Sequence, residues 1–180
     1  MKKLSCITTV AFAFIMLLSV NLNAQKFAKM DKSPMDAAAF PTSYKDANKL
    51  IKIVYSRPQL KGRAVSTLAK NGEVWRTGAN EAAELTLYTD MKLGNTTIKT
   101  GTYTFYVIPG EKEWTAIISK DLNVWGSYFY NKENDVARLS VPVSSGDALE
   151  TFSIAFEEAD NGVHMHLGWG TVRVAVPFTK

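Results

Sequence analysis

The sequence predicts an all-β fold, an antiparallel β-sandwich or partly open barrel of about nine short strands. Three observations predict it. Apolar residues recur at every second position in segment after segment from Leu50 onward, and no long segment carries a helical period. Turn-forming residues punctuate the chain at intervals of about 8 to 12 residues. Three pairs of segments can be joined by short turns in registers that set apolar residue opposite apolar residue.

The elements follow in chain order. Lys2 and Lys3 are followed by an apolar run from Leu4 to Val20 and then by the small residue Ala24. That is the layout of a secretory signal peptide spanning residues 1–24, with a run too short and wrongly flanked for a membrane span. Residues 25–48 have no clear period and read as an extended lead-in, marked by Ser33-Pro34 and Phe40-Pro41. Residues 49–180 read as a single β-sandwich domain. Within it, Ile51, Ile53 and Tyr55 share one face, and Leu85 and Leu87 another. Tyr103, Phe105 and Val107 alternate, as do Trp114, Ala116 and Ile118. Phe152, Ile154 and Phe156 do the same, then Val163, Met165, Leu167 and Trp169, and finally Val172, Val174 and Val176. Val65 to Lys70 is a possible single helical turn.

The hairpins set registers. Gly94-Asn95 fits a two-residue turn with Gly first, pairing Leu93 with Thr96. A four-residue loop at Pro109 to Lys112 sets Val107 opposite Trp114 and Phe105 opposite Ala116. A turn at Asn161-Gly162 sets Phe156 opposite Leu167, Ile154 opposite Trp169 and Glu157 opposite His166.

Composition excludes several classes. The chain of 180 residues is 46% hydrophobic and 21% charged, which rules out wholesale disorder. Its single cysteine, Cys6, excludes an internal disulfide and a Cys-based zinc site, and it leaves with the signal peptide. The formal charge of +4, less the two lysines of the signal, is +2 for the mature chain, so a nucleic-acid partner is not expected. After cleavage no integral membrane segment remains. The mature protein is expected in the periplasm or secreted, monomeric or weakly oligomeric. Nucleophilic catalysis has no support: the sequence lacks a Gly-x-Ser-x-Gly elbow, a phosphate loop and a dinucleotide fingerprint. No cofactor and no catalytic residue is expected.

Three sets of residues could carry chemistry. Arg57, Arg63 and Arg76, with Asn80 and Glu81, fall in irregular or strand-end sequence, where binding groups usually sit. Arginine's planar fork binds carboxylate or phosphate, so these residues form either a site for a small polar or anionic ligand or a set of internal arginine–carboxylate pairs. Glu157, His164 and His166 share the outward face of one hairpin and could hold a metal ion, although no fourth ligand is evident. Otherwise they form a polar face with one cross-strand ion pair. Among the aromatics, Trp114 and Trp169 fall on core faces; Trp125, Tyr128 and Tyr130 are less determined and could offer a surface to a sugar.

Several motifs also carry a resemblance. They are Tyr55-Ser56-Arg57-Pro58, Lys61-Gly62-Arg63, Val74-Trp75-Arg76-Thr77-Gly78-Ala79-Asn80-Glu81, Lys99-Thr100-Gly101-Thr102-Tyr103, Glu113-Trp114-Thr115, Trp125-Gly126-Ser127-Tyr128 and Asp135-Val136-Ala137-Arg138. As a set they resemble the bacterial family called domain of unknown function 2911, common in Bacteroidetes, over roughly residues 33 to 178. The resemblance implies an exported single-domain protein and no named catalytic residue. The expected function is a non-catalytic binding or interaction module. The alternative is a periplasmic hydrolase, metal-dependent or carboxylate-based.

Overall fold

The computed structural model describes residues 25–180. Its regular elements are β1 (Met35–Phe40), β2 (Ile51–Ser56), the one-turn helix α1 (Val65–Leu68), β3 (Ala83–Leu87), β4 (Met91–Leu93), β5 (Thr96–Ile98), β6 (Gly101–Ile108), β7 (Glu113–Ser119), a 3₁₀ turn (Lys132–Asn134), β8 (Asp135–Ala159) and β9 (Gly162–Thr179). The expected signal peptide, residues 1–24, lies outside the described residues.

All strand pairs are antiparallel and form one nine-stranded sheet in the order β1-β2-β3-β6-β7-β8-β9-β4-β5, which is not closed. The chain itself forces that sheet to fold over. β3 and β4 stand five positions apart in this order, about 24 Å in a flat sheet at ~4.8 Å per strand. Only Tyr88, Thr89 and Asp90 join Leu87 to Met91, a reach of about 14 Å. The β4–β5 edge must therefore curl back toward β3 and β6, which makes the expected sandwich or open barrel. The bend is absorbed in β8 and β9, whose pairing slips between Ser145 and Leu149 and again between Leu149 and Ser153. Opposite that bend lie Gly168 and Gly170, the latter at φ +54°.

The alternating residues meet in the interior. Trp114, Trp169, Phe105, Leu85 and Ile53 are all buried, as the period of two requires. Trp75 is the hub. It stacks on Trp169 at a 5.4 Å centroid separation and meets Trp114 and Phe152 edge-on at 6.2 and 5.0 Å. Each such aromatic pair contributes about 0.5–1.5 kcal/mol beyond area burial. Trp75 reaches the core from an irregular segment because its backbone bonds Val107 in both directions, at 2.7 and 3.0 Å, continuing the line of β3.

Two hairpin registers differ from expectation by two residues. The Gly94-Asn95 turn pairs Leu93 with Thr96 as expected. At the β6–β7 turn, however, Val107 faces Ala116 and Phe105 faces Ile118. The loop is longer because its groups bond elsewhere: the Pro109 carbonyl accepts from Gly72 N–H, and the Lys112 carbonyl from Val143 N–H. At the β8–β9 turn the loop is Asp160-Asn161, so Phe156 faces Met165, Ile154 faces Leu167 and Glu157 faces His164. Gly162 is not a turn residue. A Cβ there would lie 2.0 Å from the Phe178 carbonyl oxygen, so glycine admits the close pass of the residues after Pro177. Lys180 N–H then bonds the Asn161 carbonyl at 3.0 Å.

Residues Met35–Phe40, inside the stretch read as lead-in, form edge strand β1 against β2. The sequence MDAAAF shows no alternation, and an edge strand with small side chains leaves little for a periodic pattern to register. The short turn α1 falls where a single helical turn was expected.

Candidate functional site

The connection from β2 to β3 carries all five expected ligand residues, and the structure distributes them. Arg57 is fully engaged: Nε donates to the Phe152 carbonyl at 3.1 Å, Nη2 to Ser153 Oγ at 2.7 Å and Nη1 to Asp36 Oδ2 at 2.9 Å. It clamps β1 and β8 to the end of β2. Half-exposed, its ion pair with Asp36 adds at most about 1 kcal/mol, so the backbone and serine bonds carry the tie.

Arg63 is held by its own turn. Nε donates to the Leu60 carbonyl at 2.8 Å and Nη2 to the Gln59 carbonyl at 2.9 Å. The turn passes through Lys61 and Gly62, both at positive φ, and is anchored on the bend of β8. Leu60 N–H bonds the Glu150 carbonyl at 2.9 Å and Lys61 N–H bonds Glu150 Oε1 at 2.7 Å. Arg63 is exposed, and its Nη1 makes no hydrogen bond among the described residues.

Arg76, Asn80 and Glu81 lie on a third stretch. Arg76 is half-buried, makes no ion pair among the described residues, and leaves Nε without a partner. Thr77 is fully buried at φ +54° and Asn80 sits at φ +59°, a conformation costly for a β-branched residue such as threonine. The neighbouring Gly78 lies against β2, where a Cβ would be 3.0 Å from the Ser56 carbonyl oxygen. The loop after β7 covers this stretch: Gly126 N–H bonds the Asn80 carbonyl at 2.9 Å and Ser127 Oγ donates to the Val74 carbonyl at 2.9 Å. Glu81 bridges Trp125 and borders a cavity of about 200 Å³ with Glu84 and Thr104.

A larger cavity, about 420 Å³, has Arg63 on its wall and none of the other four. Leu60, Val65, Trp114 and Val172 give it an apolar side, and Arg63 and Glu111 a polar one. Four separate stretches contribute: the connection after β2, the β6–β7 loop with the start of β7, Val143 of β8 and the bend of β9.

On the β8–β9 hairpin, Glu157 Oε2 lies 3.0 Å from His166 Nε2, diagonal to its register partner His164. The approach has ion-pair distance without hydrogen-bond alignment, and Nε2 has no hydrogen-bond partner. The two imidazole rings stand 6.0 Å apart. Among the described residues, no group of three or more His, Cys, Asp or Glu is arranged to hold a metal ion.

Sequence reasoning missed a polar cluster where β8 begins. Asp135 Oδ2 accepts from Tyr130 Oη at 2.7 Å and from Arg138 Nε at 2.5 Å, while Arg138 Nη2 donates to Tyr130 Oη. The Tyr130 ring meets Tyr106 edge-on at 5.3 Å. Burial, and then the bond to and charge of Asp135, push the Tyr130 hydroxyl up to about 12. Burial and the charge of Asp121 do the same for Tyr106, also to about 12. The sequence offered Asp135 and Arg138 in one motif and Tyr130 as an aromatic that could meet a sugar; neither reveals that Asp135 is buried or that the Tyr130 hydroxyl is bonded to it. Just before this cluster, Trp125, Tyr128 and Phe129 are 57%, 76% and 81% exposed.

Fold and site together define an all-β protein with a cavity between the connection after β2 and the strands β7, β8 and β9. The chain belongs to the family described as protein of unknown function (DUF2911), whose model matches residues 34–178. No curated protein and no solved structure matches the chain significantly. No helix among the described residues is long and apolar enough to cross a membrane.

Proposed function

We propose that the protein is an exported, non-catalytic binding module that takes a small polar or anionic ligand into the cavity beside Arg63. The carrying observation is the state of that arginine. Two backbone carbonyls fix its guanidinium, Nη1 makes no hydrogen bond among the described residues, and the residue lines a cavity of about 420 Å³. That volume falls in the usual range for small-molecule sites, about 300–1,000 Å³. A carboxylate or phosphate would meet Nη1, and the apolar remainder of the ligand would lie against Leu60, Val65 and Trp114. Because Arg63 is already oriented, little side-chain freedom is lost on binding. Arg57 is assigned to holding the fold. Arg76, Asn80 and Glu81 are assigned to the covered loop.

A thermal-shift screen of organic acids, sugar acids and phosphate esters tests this on the wild type and on Arg63→Ala. A ligand at 100 times its Kd adds about 2.7 kcal/mol, or roughly 5–10 °C in Tm for a domain of this size. Arg63 is exposed, so Arg63→Ala should lose the ligand shift while melting normally on its own. A ligand that stabilises both proteins equally would remove Arg63 from the site. Export rests on Lys2, Lys3, the apolar run and Ala24. An amino terminus other than Gln25 in protein recovered from outside the cytoplasm would refute the proposed cleavage.

A further inference from the structure

We infer, resting on the binding role proposed for Arg63, that its cavity takes a zwitterion: a free amino acid or short peptide with an apolar side chain. The observation behind it is a second charge on the same wall. Arg63 and Glu111 both line the cavity of about 420 Å³, and no other charged residue lines it. Both are exposed. They do not pair with each other, and neither forms an ion pair with any other of the described residues.

Anchored backbone presents both charges. The Leu60 and Gln59 carbonyls hold Arg63. Glu111 stands between two tied points of the β6–β7 loop: the Pro109 carbonyl accepts from Gly72 N–H at 2.8 Å, and the Lys112 carbonyl from Val143 N–H at 2.9 Å. Gly110 permits the tight turn before it, since a Cβ there would lie 2.5 Å from the Glu113 carbonyl oxygen. The apolar side is also set in advance. Gly170 of β9 packs against α1, where a Cβ would meet Val65 Cγ2 at 3.1 Å, and the buried Trp114 lines the same cavity.

The charge pattern selects the ligand. A simple carboxylate would be drawn to Arg63 and opposed by Glu111. A simple amine would meet the reverse. An ammonium group and a carboxylate carried by one molecule satisfy both. An apolar side chain on that molecule would leave water for Leu60, Val65 and Trp114. Ser66, Asn71 and Thr171, also on the wall, offer partners to a peptide group.

The test is calorimetry and thermal shift on the purified protein with leucine, phenylalanine and leucyl-leucine. Isocaproate, which is leucine without its ammonium group, and isoamylamine, which is leucine without its carboxylate, serve as the single-charge arms. At least one zwitterion should bind and raise the melting temperature. Each single-charge analogue should bind about tenfold or more weakly than the best zwitterion, the loss of one bond between charged groups. Tightest binding by leucyl-leucine supports a peptide source, and tightest binding by leucine or phenylalanine a free amino acid. Glu111→Gln should weaken the best zwitterion about tenfold and bind isocaproate at least as well as the wild type does. Glu111 is exposed, so this variant should melt normally on its own. Arg63→Ala should weaken zwitterion and isocaproate alike. The inference is overturned, with the role of Arg63 intact, if isocaproate binds as tightly as every zwitterion or if Glu111→Gln leaves zwitterion binding unchanged. It falls together with the role of Arg63 if zwitterion binding survives Arg63→Ala at full strength. It is also overturned if no zwitterion binds, and the role of Arg63 is then decided by the organic acids and phosphate esters alone.

Discussion

Trp75, Trp114, Trp169 and Phe152 pack against one another in the interior, while Trp125, Tyr128 and Phe129 stand in solvent a few residues from the start of β8. The same residue types do different work in the two regions. In the first, each ring is fixed by the next, and the backbone that carries it is paired into the sheet. In the second, the rings touch little, yet the loop beneath them is pinned by main-chain bonds to the Val74–Ala82 stretch and by Tyr130 at its far end. Aromatic content therefore says nothing of rigidity until the backbone partners are known. Here the exposed rings are displayed by a loop whose main chain is bonded to the Val74–Ala82 stretch.

The largest expected effect is in the interior. Trp169→Ala removes the ring stacked on Trp75 and leaves a void, at a cost of about 3–5 kcal/mol in chemical denaturation. A loss below about 0.5 kcal/mol, typical of surface sites, would erase the distinction between the two regions.

Tyr130→Phe comes next. It removes the hydroxyl bonded to Asp135 and should cost about 1.5–3 kcal/mol, as hydrogen bonds to charged groups do. It also has a pH signature. An ordinary tyrosine titrates at 10.0, and this one is held up to about 12 in the fold. Between those values the unfolded chain has lost a proton that the folded chain keeps, so the stabilisation is complete below pH 10 and drains away as pH rises through 12. Melting temperatures of wild type and Tyr130→Phe, followed from neutral to strongly alkaline pH, should converge. A gap that stayed constant would show that the Tyr130 hydroxyl is not what couples the loop to β8.

Smaller still, Ser127→Ala removes the one side-chain bond to Val74 and should cost about 0.5–1.5 kcal/mol. Amide exchange in residues 120–131 should accelerate with it; unchanged exchange would mean that the main-chain bonds alone hold the loop. Least of all, Trp125→Ala should change stability by no more than about 0.5 kcal/mol, measured in the same denaturation experiment. A larger loss would place that ring in the fold's own packing and shrink the difference between the two regions.

Much of the fold was legible. Large apolar residues at every second position located most strands, and Trp114 and Trp169 were placed in the core by that pattern alone. Two registers were not legible, for a definite reason. A slip of two residues leaves every side chain on its original face, so Phe105 is equally content opposite Ala116 or Ile118. What decided between them was the fate of main-chain groups at Pro109 and Gly162, which depends on segments far away in sequence. The site was less legible. Arg63 was singled out for its chemistry, but its cavity is assembled from residues near 60, 110, 143 and 171, which no local pattern joins. Asp135 stood in a motif of the family resemblance, but its burial could not be read, because burial of a carboxylate is a property of the folded sheet.

The return of the Phe178–Lys180 stretch to the tip of its own hairpin has a consequence for assembly in time. β4 and β5 are synthesised early but have no neighbour in the sheet until Phe178 and Thr179 arrive to pair with Leu93 and Lys92. The hairpin tip likewise waits for Lys180. Pairings so distant in sequence close slowly, because the intervening chain must be gathered first. In a chain with this topology the β4–β5 pair cannot join the rest of the sheet before Phe178 and Thr179 have been made.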